Sequence, residues 1–133
     1  MVGRIARPLA LVAAAFAAAA CGAGDTWEGT YSVDRDGERF EALRVERRGE
    51  QWIARARLND DAWGDEVVGT LASTSELTQL MGEAATRCHA SALALEGGAL
   101  IRVDRGCEFR NGEVSETGWI VVVLFFAAEA HKH

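Results

Sequence analysis

From residue 27 onward, apolar and polar residues alternate in short segments that glycine, aspartate and asparagine separate. The alternation is cleanest in segment 51–58, where one face carries Trp52, Ala54, Ala56 and Leu58. A period of two residues is typical of a β-strand that buries one face. Comparable segments occur at 27–33, 38–47, 67–71, 91–96 and 99–104. The sequence therefore predicts a protein built mainly of short strands.

Four dipeptides between these segments have the composition of tight turns: Asp36-Gly37, Gly49-Glu50, Gly97-Gly98 and Asn111-Gly112. A two-residue turn at Gly49-Glu50 pairs Val45 with Ala54 and Leu43 with Ala56. This register places the apolar residues of both strands on one face, which favours it over a register shifted by one residue.

The period changes after Leu71. Ser73 and Glu76 have the spacing of a capping box, in which two side chains satisfy backbone N–H groups at the start of a helix. Apolar residues then follow at helical spacing: Leu77, Leu80, Met81 and Ala84. We predict one amphipathic helix over residues 74–85.

Segment 119–126 is a continuous apolar run, WIVVVLFF. It is too short to cross a bilayer as a helix, which takes about twenty residues. We interpret it as a strand buried on both faces, either in the middle of a sheet or closing a barrel beneath the helix. The predicted fold is a small antiparallel β-barrel, or a curved sheet, of about seven or eight strands. Residues 27–128 form one domain in this prediction, and residues 129–133 form a frayed tail.

Residues 1–20 contain no acidic residue. Arg4 and Arg7 precede an uncharged apolar segment at 9–20 that ends in small residues, which is the composition of an export signal peptide. The sequence Ala18-Ala19-Ala20-Cys21 resembles the lipobox of bacterial lipoproteins, with Ala18 where that family prefers leucine. The resemblance implies cleavage after Ala20 and acylation of Cys21, including chains such as palmitate. Ordinary secretion with a free Cys21 is the alternative.

The same resemblance predicts where the protein acts. Residues 21–26 would be a short tether, and the N-terminal acyl chains would hold the domain at a membrane of the bacterial cell envelope. Gly22, rather than aspartate, follows the lipid site. In Gram-negative lipoproteins this resembles the sorting rule for the outer membrane, with the domain in the periplasm.

The chain has three cysteines, an odd number that leaves one thiol to explain in an exported protein. Lipidation of Cys21 would leave Cys88 and Cys107 for one disulfide in an oxidising compartment. A two-residue turn at Gly97-Gly98 gives a hairpin register that, when extended, places Cys88 opposite Cys107. We predict this pair as a disulfide.

The formal net charge is −6, from 14 basic and 20 acidic residues. Removing residues 1–20, with two arginines, would make it about −8. An acidic surface repels phosphate backbones, so we expect no nucleic-acid partner.

The outer face of the second hairpin carries Arg44, Arg55 and Arg57. Three arginines together could bind an acidic envelope protein or an anionic glycan, although an ordinary solvated face interleaved with Glu41 and Glu46 is the alternative. We find no motif for a catalytic residue, a metal site or a cofactor, and we do not expect an enzyme.

Trp27-x-Gly29-x-Tyr31 resembles the opening strand of lipocalin-like barrels, which have Gly-x-Trp there, and Tyr31 replaces that tryptophan in this chain. That resemblance implies a carrier of a small apolar ligand, and it is the alternative hypothesis. The leading hypothesis is a membrane-anchored lipoprotein that acts by binding, as an accessory, inhibitor or assembly factor for another envelope component.

Overall fold

The structure, a computed structural model, describes residues 26–57, 62–123 and 126–133. Its elements in chain order are β1 (Gly29–Arg35), β2 (Glu38–Arg48), β3 (Gln51–Ala56), β4 (Val67–Leu71), α1 (Thr74–Met81), α2 (Ala84–Arg87), β5 (Ser91–Leu95), β6 (Gly98–Arg102), β7 (Cys107–Arg110), β8 (Glu113–Ser115), β9 (Trp119–Val123), β10 (Phe126–Glu129) and β11 (His131–Lys132). The predicted class, mainly β, is confirmed. Among the described residues, no helix is long and apolar enough to cross a membrane.

Nine of the strands form one antiparallel sheet in the order β10-β9-β6-β5-β4-β3-β2-β1-β11, and β7 pairs with β8 separately. The two edge strands, β10 and β11, are successive segments with only Ala130 between them. The Ala130 N–H donates to the Trp119 carbonyl at 2.9 Å. The sheet therefore curls into a nearly closed barrel. The strand count exceeds the prediction for two reasons. The β7–β8 hairpin adds two short strands, and residues 126–132 form two strands that are separated at Ala130.

The prediction of a frayed tail at residues 129–133 is wrong. Glu129 pairs with Ile120 of β9, while His131 and Lys132 pair with Ser32 and Tyr31 of β1. The segment lacks the alternation of a typical strand. It is ordered because its backbone joins the two strand edges that the rest of the barrel would leave unpaired.

The first two hairpins have the register that the turn dipeptides predict. Leu43 pairs with Ala56 and Val45 with Ala54 across β2 and β3. At the β1–β2 turn, Asp36 and Gly37 have φ angles of 52° and 83°. Positive φ at both central residues is the requirement of the tight turn that matches strand twist.

The register predicted for the β5–β6 hairpin is wrong. The turn residues are Glu96 and Gly97, so that Leu93 pairs with Leu100 and Leu95 with Gly98. Each residue's partner differs from the predicted one by two positions, which leaves every side chain on its expected face. Gly98 is the first residue of β6, and a side chain would not fit there because its Cβ would lie 2.2 Å from the Val122 carbonyl oxygen on β9.

The capping box is confirmed, but the helix is shorter than predicted. The Glu76 N–H donates to the Ser73 hydroxyl at 3.1 Å, and the Ser73 N–H donates to the Glu76 carboxylate at 2.8 Å. The helix ends at Met81 instead of residue 85, since Gly82 adopts a φ of 64° that stops it. The short helix α2 then carries the chain to Cys88.

The residues that the structure describes form two apolar cores. The first fills the barrel and includes Tyr31, Leu43, Leu93, Leu100 and Trp119. The second lies between the outer face of the sheet and the helices with the β7–β8 hairpin, and it includes Ala84, Cys88, Ala92, Ala99, Ile101 and Ile120. Strand β9 contributes alternate residues to both cores, which confirms that it is buried on both faces. Leu124 and Phe125 of the apolar run lie outside the described residues.

Candidate functional site

One end of the barrel is filled by aromatic side chains, and we call it the closed end. The Trp27 and Trp119 rings meet edge to face with centroids 5.7 Å apart, and the Tyr31 ring lies 5.2 Å from Trp119. The Tyr31 hydroxyl donates to the Trp27 carbonyl at 2.5 Å. Burial raises the pKa of Tyr31 well above its usual value of 10.0. Arg102 and Lys132 lie over the Trp119 ring at 5.4 and 4.8 Å.

The opposite end, which we call the mouth, contains an apolar cavity of about 140 Å³. Its lining includes Leu43, Ala54, Ala56, Val67, Leu95 and Val121. Ala54 and Ala56 line it from β3, with Ala54 buried and Ala56 exposed at the opening, and longer side chains at these positions would fill the space. Apolar cavities of roughly this size, about 150 Å³, accept small apolar molecules such as benzene.

A groove of about 470 Å³ adjoins this cavity and shares Ala42, Val121 and Val123 with it. A β-bulge produces the shared wall: Tyr31 pairs with Leu43 but Ser32 pairs with Glu41, which leaves Ala42 unpaired. Such a bulge bends the strand and redirects its side chains.

The apolar wall of this groove is formed by Val33, Phe40 and Ala127 together with the three shared residues. Arg35, Arg57 and Asp34 line the same groove.

Guanidinium groups and aromatic rings alternate in a row that begins in the groove and continues beyond it: Arg35, Phe40, Arg57, Trp63 and Arg44. Arg35 and Arg57 lie 4.7 and 5.5 Å from the centre of the Phe40 ring. Arg57 and Arg44 lie 4.5 and 4.2 Å from the Trp63 ring. Each such contact at an exposed site stabilises the structure by about 0.5–1 kcal/mol.

The arginine face predicted from the sequence exists, and Arg44 pairs directly with Arg55 across β2 and β3. Its charges are partly neutralised within the protein. Arg44 lies 3.4 Å from a Glu41 carboxylate oxygen and Arg55 lies 3.3 Å from Glu66. The Arg57 Nε–H donates to the Glu41 carbonyl at 2.9 Å.

Glu66 is the acidic centre of this face. Its carboxylate accepts hydrogen bonds from Arg48 at 2.9 and 2.8 Å. These bonds, with a smaller contribution from Arg55, lower the pKa of Glu66 to about 2. Glu66 therefore stays ionised over the whole neutral and mildly acidic range.

Sequence reasoning missed three residues of this row of arginines and aromatic rings, namely Arg35, Phe40 and Trp63. Arg35 lies at a turn, and Phe40 interrupts a polar stretch. Trp63 lies in a segment that composition marks as a polar loop. An aromatic residue within a polar segment was the available signal for both rings.

The predicted disulfide between Cys88 and Cys107 is confirmed, with Cα atoms 5.7 Å apart. Neither cysteine lies in the β5–β6 hairpin, because Cys88 follows α2 and Cys107 begins β7. The bond lies at the outer core, away from the mouth. Cys21, the predicted lipidation site, lies outside the described residues.

No group of three or more histidine, cysteine, aspartate or glutamate side chains suited to a metal ion occurs in residues 26–57, 62–123 and 126–133. No protein-family model, curated protein sequence or solved structure is significantly similar to this chain.

Proposed function

We propose that this chain is an exported binding protein whose barrel mouth takes up a small apolar ligand. The apolar cavity of about 140 Å³, together with the adjoining groove of about 470 Å³, is the observation that carries the proposal. Sites for small ligands are mostly apolar clefts in which a few polar groups set the orientation. The mouth has this composition, since most of its lining is aliphatic and a few charged residues, Arg55, Asp65 and Glu96, also line the cavity.

A protein or glycan partner at the arginine face is the second candidate. Trp63 between Arg44 and Arg57 favours it, because tryptophan and arginine are enriched where binding energy concentrates at interfaces. A partner of this face would have to compete with the ion pairs to Glu41 and Glu66. The ligand-binding proposal is preferred because the apolar lining of the mouth offers contact area that does not depend on displacing an ion pair.

We also propose that acyl chains on Cys21 anchor the protein to a membrane of the bacterial envelope. The chain enters the barrel at the closed end, where Trp27 packs, so the mouth would face away from an anchor at Cys21. Cys21→Ser should abolish acyl labelling and release the protein into the soluble fraction. Cys107→Ser, which removes the disulfide to Cys88 but leaves Cys21 in place, should retain both the label and the membrane association.

The ligand-binding proposal is tested with N-phenylnaphthylamine, a neutral apolar dye that fluoresces on leaving water. The full chain carrying Cys21→Ser should bind the dye saturably. Adding Ala56→Phe should weaken binding at least about tenfold, because the ring occupies the cavity and removes apolar contact area. Ala94→Phe is the matched control, since Ala94 faces outward on β5. Absence of saturable binding, or equal loss in both variants, would contradict the proposal.

A further inference from the structure

The two ends of the sheet separate from each other near the mouth of the barrel. Strand β10 pairs with β9 as far as Glu129, whereas β11 pairs with β1 at Ser32 and Tyr31. From Ser32 towards the mouth, β1 and β10 have no strand pairing among the residues that the structure describes. We call this opening in the barrel wall the seam.

The groove of about 470 Å³ lies along this seam. Val33 and Asp34 line it from β1, while Ala127 and Ala128 line it from β10. Ala128 pairs with Val121, a buried residue of the core inside the barrel, and Val121 lines both the groove and the cavity. The space inside the barrel therefore continues sideways through the seam.

The cavity has a blind end. Trp27, Tyr31 and Trp119 fill the closed end of the barrel, so a ligand cannot extend further along the barrel axis. The cavity of about 140 Å³ has room for a group the size of benzene, and the groove has more than three times that volume. A larger ligand therefore has to extend from the cavity past Ala42 into the groove.

The buried part of this path has no polar side chain in its described lining. Leu43 and Ala54 are buried in the cavity wall, whereas the charged residues of that wall, Arg55, Asp65 and Glu96, are all exposed. Charged residues of both signs also line the groove. The site therefore selects a ligand by its apolar area and its shape, and the sign of a charged head is not decisive.

We propose that the ligand of the mouth contains an unbranched alkyl chain, which ends in the cavity and passes through the seam along the groove. This inference rests on the proposed function and adds the chemical class of the ligand and its path. A flexible chain can turn at Ala42 from the cavity into the groove, whereas a wide ring cannot. Each methylene group that leaves water tightens binding about three- to fourfold.

The test compares 1-hexanol, 1-octanol and 1-decanol with cyclododecanol, a larger hydrocarbon ring that carries the same hydroxyl group. Each alcohol competes with N-phenylnaphthylamine for the full chain carrying Cys21→Ser. Affinity should rise about tenfold at each step from hexanol to octanol to decanol. Cyclododecanol should bind at least about tenfold more weakly than decanol, although it has more carbon atoms, because its ring cannot enter the groove from the cavity.

Substitutions at two alanines test the path. Ala42→Leu narrows the junction of cavity and groove, and Ala128→Phe fills the groove from β10. Each should reduce the gain from hexanol to decanol from about a hundredfold to less than about tenfold, with hexanol binding unchanged. Because Ala128 is only half-buried, its variant provides the test if Ala42→Leu does not fold.

Ala94→Leu and Ala94→Phe are the matched controls. Ala94 lies between Leu93 and Leu95, which face the inside of the barrel, so its own side chain faces outward. Both control variants should keep the full gain from hexanol to decanol.

The outcomes separate this inference from the proposed function. If affinity stops rising at hexanol, or if cyclododecanol binds as tightly as decanol, the site takes a compact ligand, and the alkyl chain is wrong while the proposed function stands. A full gain that survives in folded Ala42→Leu or Ala128→Phe would show that the chain does not follow the groove, which overturns the inference. If none of the four alcohols displaces the dye, both the proposed function and this inference fail.

Discussion

Cys88 and Cys107 form a disulfide that joins two elements outside the barrel, the end of α2 and the start of β7. Cys88 is completely buried in the outer core. The bond therefore fixes the β7–β8 hairpin to the layer that covers strands β5, β6 and β9. It contributes to stability both by constraining the unfolded chain and by holding this cover in place.

Replacing both cysteines with alanine should lower the free energy of unfolding by about 3 kcal/mol, the value expected for a closed loop of this size. Urea unfolding measures the change. Reducing the unmodified chain should shift the urea midpoint in the same direction, while Cys21→Ser should leave it in place. Equal midpoints for the oxidised and reduced protein would show that the bond has no stabilising role.

This disulfide also shows what sequence patterns could and could not predict. The pairing was predicted correctly from a hairpin register that proved wrong by two positions. Alternation of apolar residues cannot detect such a shift, because it leaves every side chain on the same face. In the structure Gly98 lies close to the Val122 carbonyl, a contact between β6 and β9 that no turn dipeptide indicates. The β2–β3 register was correct because its turn alone determines it.

The mouth was less predictable than the strands that form it. Residues from β1 to β6, β9 and β10 meet there only because the sheet closes upon itself. That closure depends on residues 130–133, whose composition resembles a disordered tail. The bulge at Ala42 likewise has no mark in the local sequence. The arginine face, in contrast, follows from one hairpin and could be predicted.

Tyr31→Phe should destabilise the protein by about 1–3 kcal/mol. The substitution removes the hydroxyl that donates to the Trp27 carbonyl inside the closed end and leaves a buried acceptor without that donor. Chemical unfolding measures the change. The substitution keeps the aromatic ring, so the change in stability reports the hydroxyl alone. A Tyr31→Phe variant as stable as the unmodified chain would mean that this hydrogen bond is not formed in solution.

The stability of the protein should fall at alkaline pH because burial raises the pKa of Tyr31. The neutral phenol favours the folded state, so its contribution is complete below about pH 10, the unfolded value, and is lost as the pH rises further. The chain has one tyrosine, so tyrosinate absorbance reports this group alone. The folded protein should show ionisation at higher pH than the chain in urea. Coincident titration curves would contradict the burial of this hydroxyl.

Glu66 should titrate far below an ordinary glutamate because of its hydrogen bonds to Arg48 and its contact with Arg55. Its pKa of about 2 lies below the usual value of 4.5, so its contribution to stability is present above about pH 4.5 and is lost as the pH falls through 2. Carboxyl chemical shifts from NMR follow this titration directly. Arg48→Gln should raise the pKa of Glu66 towards its usual value, whereas Arg47→Gln should not. No difference between the two variants would refute the ion pair.

Deleting residues 131–133 should destabilise the barrel by about 2–4 kcal/mol, since several hydrogen bonds of about 1 kcal/mol each disappear together. Thr30 and His133 exchange two backbone hydrogen bonds at 3.0 and 2.9 Å, and the His133 ring contacts the buried Ser32 hydroxyl at 2.7 Å. The deletion also exposes the edge of β1 to pairing with another chain.

Amide exchange at Thr30 should accelerate in the truncated chain, and its melting temperature should fall. His131→Thr, which keeps the backbone of β11, should preserve the slow exchange at Thr30. If the truncated and complete chains melt alike, residues 131–133 do not close the barrel in solution, and they form the frayed end that their composition suggests.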